Sequence, residues 1–112
     1  MRISVTMKLA AVAILTICFA RPAIADDVKT LGAGANATCG KWSTDRQNGN
    51  AFPIANWALG YLSGTAVFSK NLNPLEGLDS DAVLYWLDNY CRSHPLEKFT
   101  VALKTFTLEH PQ

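Results

Sequence analysis

Ser80-Asp81-Ala82-Val83-Leu84-Tyr85-Trp86-Leu87-Asp88-Asn89-Tyr90-Cys91-Arg92-Ser93-His94-Pro95 combines an amphipathic helix, a cysteine and a helix-stopping proline. Its larger apolar residues, Val83, Leu84, Leu87, Tyr90 and Cys91, follow the i, i+1, i+4, i+7, i+8 spacing of one helical face. Asp81 and Asp88 fall outside that set. Asp79 or Ser80 is placed to accept hydrogen bonds from the free N–H groups of the first turn, and Ser93-His94-Pro95 ends the helix and begins another. The neighbouring segments read as elements that pack on this one.

Downstream, Leu96, Phe99, Leu103 and Phe106 form a stripe at i, i+3, i+7, i+10, predicting a last helix with Glu97, Lys98 and Lys104 toward solvent. Upstream, residues 71–78 carry Pro74, Gly77 and three leucines, the composition of an irregular connector lying flat on a core. Before it, Phe52 to about Lys70 predicts the longest helix, with Pro53 in the first turn and Ile54, Trp57, Ala58, Tyr61, Leu62 and Phe68 at helical spacing. Gly60 and Gly64 interrupt it, and their helix-weakening cost predicts close approach of another backbone, or a kink. Cys39 to Arg46 predicts a short helix that tucks Trp42 inward, and residues 47–50 a turn. Residues 26–38, glycine-bearing and without a large apolar pattern, predict a mobile tail. No segment alternates with period two. The fold class is therefore all-α: a small helical domain over residues 39–110, with three main helices plus a short N-terminal one.

The first 25 residues predict a secretory signal peptide, with Arg2 and Lys8 preceding an apolar run from Leu9 to Ala20 and the cleavage pattern Ala23-Ile24-Ala25. A run of 12 residues is short of the roughly 20 that span a bilayer, so no membrane association is expected after cleavage. Cys18 belongs to the discarded segment. The mature chain keeps Cys39 and Cys91 and is exported to a compartment where disulfides persist, which predicts a Cys39–Cys91 bond. For a domain of 87 residues such a staple matters, because small cores are marginal. Processing leaves seven basic against nine acidic side chains, a net charge of −2, which is no footprint for nucleic acid.

Chemical signatures are sparse. The two histidines, His94 and His110, lie 16 residues apart and the nearby thiol is assigned to the disulfide, so no metal site is predicted. Gly60-Tyr61-Leu62-Ser63-Gly64 has the wrong spacing and the wrong element for a nucleophile elbow. Asp79 and Asp81 at a helix start are accounted for by capping and by the helix dipole. Asn36-Ala37-Thr38 fits a glycosylation sequon that is common by chance. Neither a cofactor nor an enzymatic activity is expected. The aromatic content is high, and consecutive Tyr85 and Trp86 cannot both face one way. Trp57, Tyr61, Tyr85 and Trp86 are the candidate protein-binding residues.

The order Thr38-Cys39, Asn56-Trp57-Ala58 and Tyr90-Cys91-Arg92 followed by Pro95 resembles the HdeA/HdeB family of periplasmic acid-stress chaperones. The resemblance spans residues 38–106. It implies a periplasmic, ATP-independent holdase, a homodimer at neutral pH that loosens in acid and exposes apolar surface to unfolding client proteins. Asp79 and Asp81 are then the candidate pH-sensing residues, since protonation removes their dipole contacts. The chain departs from the family in Gly60 and Gly64, in its extra tryptophans and in lacking a lysine-rich tail. A second similarity, Leu59-Gly60-Tyr61-Leu62-Ser63-Gly64 followed by Tyr85-Trp86-Leu87 and Pro95, is to Rap/Tai-type immunity proteins, which block a type VI secretion effector. Many of those carry a second cysteine pair, absent here.

Overall fold

The computed structural model describes residues 28–111; the predicted signal peptide lies outside the described residues. Four helices and no strand are found among them: α1 Cys39–Gln47, α2 Phe52–Phe68, α3 Ser80–Ser93 and α4 Phe99–Glu109. The all-α class is as expected.

Each helix boundary has a local cause. Thr38 caps α1 by accepting from the Lys41 N–H at 3.1 Å, and the chain leaves α1 through Gly49 at φ +74°, a region costly for other residues. α2 opens on Pro53, whose missing N–H is harmless in a first turn. Asp79, one residue before α3, accepts from the Ala82 N–H at 2.8 Å, while Asp81 in the first turn and Arg92 in the last complement the dipole. Between α2 and α3, Pro74 is fully buried and anchors the connector, and Gly77 turns it at φ +75°.

α3 packs against α1, α2 and α4. Val83, Leu87 and Cys91 of α3 meet Trp42 of α1, Leu62 of α2 and Phe99, Leu103 and Phe106 of α4 in one core. Trp42 and Phe99 stack with ring centroids 5.1 Å apart. The Cys39–Cys91 disulfide is present and fully buried, with Cα atoms 4.7 Å apart, joining the first residue of α1 to the last turn of α3. Closing a loop of this length stabilises the fold by roughly 4 kcal/mol in the chain-entropy account.

Three expectations need correction. Leu96 does not belong to the last helical stripe: it is 94% exposed, in a turn preceding α4. That turn has its own work, because the Cys39 and Gly40 N–H groups donate to the Glu97 and Pro95 carbonyls, each at 2.8 Å, and the Phe99 N–H donates to Ala37. The free end of α1 is thus satisfied by backbone rather than by a longer α4. Gly60 and Gly64 permit no close approach within the chain, since a Cβ on either would meet nothing within 4 Å, and α2 runs unbroken past both. Finally, residues 31–38 are not a loose tail. Two turns fold them onto Trp57, whose indole N–H donates to the Leu31 carbonyl at 2.7 Å. Gly34 is buried under that ring, leaving no room for a Cβ, and Gly32 at φ +111° has the ring 2.6 Å from where a Cβ would stand. Small residues that carry no apolar pattern of their own are what let the chain lie flat on a tryptophan.

Candidate functional site

Two helices that pack side by side bring five rings together. On α3, Trp86 and Tyr90 are four apart and stack at 5.0 Å; Tyr90 in turn stacks on His94 at 4.1 Å. On α4, Phe106 stacks on His110 at 4.2 Å and presents itself to the Trp86 ring edge-to-face at 5.2 Å. The i, i+4 spacing of a helix places such rings above one another. Both histidines occupy helix C-caps, with Nδ1 2.8 Å from the Tyr90 carbonyl in one case and from the Phe106 carbonyl in the other. The ladder therefore ends each helix while filling the seam between them.

Beside this ladder runs an open, largely apolar groove of about 470 Å³, walled by Leu78, Ala82, Tyr85, Trp86 and Phe106, with Asn89 and Glu109 as polar neighbours. Tyr85 is 69% exposed and Trp86 half-buried, so of the consecutive pair it is Tyr85 that points away from the core. Trp57 and Tyr61, the other candidate binding residues, are not brought to this groove. They pack on each other at 5.5 Å and line a separate shallow depression with Leu31, Asn56 and Gly60.

Carboxylates hold the groove's helix in place. Asp88 accepts the Trp42 indole N–H at 2.9 Å and two bonds from Arg46, Nε at 3.0 Å and Nη2 at 2.9 Å. Arg46 also lies 5.5 Å over the Trp42 ring, and its pKa is raised chiefly by the bond to Asp88. Glu97 accepts from the Tyr90 hydroxyl at 2.8 Å. Burial is the main reason the Tyr90 phenol titrates above its ordinary value, with Glu97 adding to it, and burial alone raises Tyr61. Of the two predicted pH-sensing residues, both exposed, Asp79 is the cap described above, whereas Asp81 sits in the first turn of α3, where it complements the dipole and lends its field to Arg46.

Asp88 is the residue that sequence reasoning passed over. Its signal was indirect: a buried tryptophan usually finds a partner for its N–H, and Asp88 borders the apolar face of α3 beside Leu87 and Cys91. Among the described residues no cluster of three or more metal-ligating side chains occurs, and no helix is long and apolar enough to cross a membrane. Comparison with family models, with curated proteins and with solved structures returned no match.

Proposed function

We propose that the chain is a periplasmic protein-binding module of the HdeA/HdeB kind, an ATP-independent holdase that opens in acid and works without catalysis or cofactor. The observation that carries this reading is the pairing of acid-labile with acid-stable ties on α3. Asp79 caps the helix, Asp88 joins it to α1, and Glu97 holds Tyr90 from the turn before α4. All three accept hydrogen bonds as carboxylates, and charge-assisted bonds of this kind are the ones that acid weakens. The Cys39–Cys91 bond does not titrate, so α3 loosens on a tether, uncovering the Trp86 and Phe106 side of the core beside Tyr85. Unfolding client proteins offer the apolar side chains that such a surface accepts.

The test lowers the pH from 7 to 2–3 and follows binding of an apolar dye and aggregation of an unrelated client. Dye binding and suppressed aggregation only at low pH are expected; a chain that stays closed and inert in acid overturns the reading. The existence of the groove before any acid opening favours one second reading, that of a Rap/Tai-type inhibitor that binds a single effector at neutral pH. Recovery of one hydrolase in near-stoichiometric yield from periplasm at pH 7 decides for it.

A further inference from the structure

Two concavities meet where residues 28–31 lie beside α2 and the start of α4. The first is a cleft of about 160 Å³ among Thr30, Tyr61, Lys98, Thr100 and Lys104. The second is the depression over Leu31, Trp57 and Gly60, about 380 Å³ and largely apolar. Thr30 and Tyr61 line both, so the two form one surface with a basic end and an apolar end. A neighbouring hollow that shares Lys98 and Thr100 adds Lys29. Three of the seven Lys and Arg side chains between residues 28 and 111 therefore gather here, and none of the described carboxylates lines the cleft or that hollow. Lys29 and Lys98 have no ion-pair partner among the described residues.

Two residues at this place run against local structure, and nothing within the described chain offsets either. Gly60 weakens the middle of α2 relative to alanine, yet a Cβ there would meet nothing within 4 Å. What the glycine does is keep a floor clear. At 100° per residue, position 60 falls between 56 and 57, so a side chain on it would stand in the depression that Asn56, Trp57 and Tyr61 surround. Lys98 sets a positive charge at the N-terminus of α4, the end where the helix dipole favours an anion, and α4 has neither an acidic residue in its first turn nor a side-chain cap. An anion held at Lys98 removes that cost. Breaches of local preference without compensation in the fold are expected at functional sites.

We propose that this surface binds a free amphipathic anion, a single-chain carboxylate or alkyl phosphate with its head in the lysine cleft and its chain over Gly60 against Trp57 and Tyr61. Each half of the surface asks for one half of that molecule. Lys98 and Lys104 offer charge-assisted donors to the head, with the hydroxyls of Thr30, Tyr61 and Thr100 beside them. The chain leaves water over two rings whose centroids are 5.5 Å apart. A small polar anion would leave the depression bare, and a neutral apolar ligand would leave Lys98 without a counter-charge. The shape favours a dissolved molecule over a bilayer: the head site is a cleft with residues 28–31 along one wall, and a mature chain of net charge −2 is not drawn to an anionic surface. Apart from the α3/α4 groove, with which it shares no lining residue, this site stands independently of the holdase reading.

Titration of the mature chain with laurate at pH 7, followed by proton–nitrogen correlation NMR, reads the site directly. The three indole N–H signals report three places: Trp57 in the depression, Trp86 in the α3/α4 groove and Trp42 in the core. Saturable shifts of the Trp57 indole and the Thr100 amide are expected, with a dissociation constant on the order of 100 µM, while the Trp86 and Trp42 signals stay in place. Dodecyltrimethylammonium, with a chain of like length and the opposite charge, should bind at least tenfold more weakly, and so should acetate, which lacks the chain. Lys98→Glu and Gly60→Leu should each weaken laurate at least tenfold. Both positions are exposed and leucine favours a helix, so the urea midpoint of Gly60→Leu should hold or rise even as binding is lost. No saturable shift up to about 1 mM laurate overturns the proposal, as do shifts centred on Trp86, equal binding of the ammonium amphiphile, or indifference to both variants. Binding to phosphatidylglycerol vesicles without binding to laurate overturns it too, and assigns the face to a membrane surface.

Discussion

Asp88 satisfies a buried indole and a guanidinium at once, so its charge is tied to the position of α3. Asp88→Asn keeps an acceptor for Trp42 but loses the ionic half of the Arg46 contact. Because both side chains are partly exposed, at 39% and 24%, the expected loss at pH 7 is only about 1 kcal/mol. Urea melts of wild type and variant at pH 7 read that difference. Tyr61 and Tyr90 have pKa values raised by burial, so the folded state holds their protons more tightly than the unfolded chain does. Their contribution to stability is complete below pH 10 and is lost as the pH climbs through the raised values. Absorbance of tyrosinate, recorded with the unfolding transition, should show these two phenols ionising late and the fold weakening as they do. Tyr85 is a third case: it is exposed, so Tyr85→Ala should change stability by less than about 0.5 kcal/mol. Under the proposed function it should nonetheless weaken client binding in acid, which an aggregation assay measures.

Elements show where periodicity is enough and where it fails. The face of α3 was legible because its apolar residues fall on one side and its polar ones on the other, so Val83, Leu87 and Cys91 had to turn inward. α2 was harder: it is apolar nearly all round, and its burial is set by what packs on it rather than by its own pattern. Thus Ile54, Ala58 and Leu62 are buried as predicted, but Phe68 at the same spacing is not. The segment before α1 was misjudged because its order comes from Trp57, twenty or more residues away, and not from local propensity. Gly34→Ala tests that account. A methyl group there overlaps the indole, so the segment should lift, costing about 1–3 kcal/mol. Hydrogen exchange over residues 31–37 should accelerate while the helices stay protected.

At the scale of the molecule the disulfide and the core divide the labour. Trp42, Phe99, Phe106 and the leucines around them form one core, and the bond keeps α1 on α3 when that core is stressed. Replacing Cys39 and Cys91 by serine should cost about 2–5 kcal/mol at neutral pH, read from the thermal or urea midpoint. In acid the loss should be qualitative: far-UV circular dichroism at pH 2 should show residual helix in the bonded chain and little in the variant.

The sequence by itself determined the class of this protein: helices at 3.6-residue spacing, a cap for α3 at Asp79 or Ser80, and a covalent tie between Cys39 and Cys91. These follow from local geometry and from counting, and neither needs knowledge of neighbours in space. The tertiary structure decided what the surface offers. Whether Tyr85 or Trp86 turns outward, whether Asp88 meets Arg46, and whether Gly60 touches another backbone all depend on how helices distant in sequence lie against one another. Burial and pairing are properties of that arrangement, and a residue's spacing constrains them only where its helix has one clearly apolar side and one polar side, as in α3.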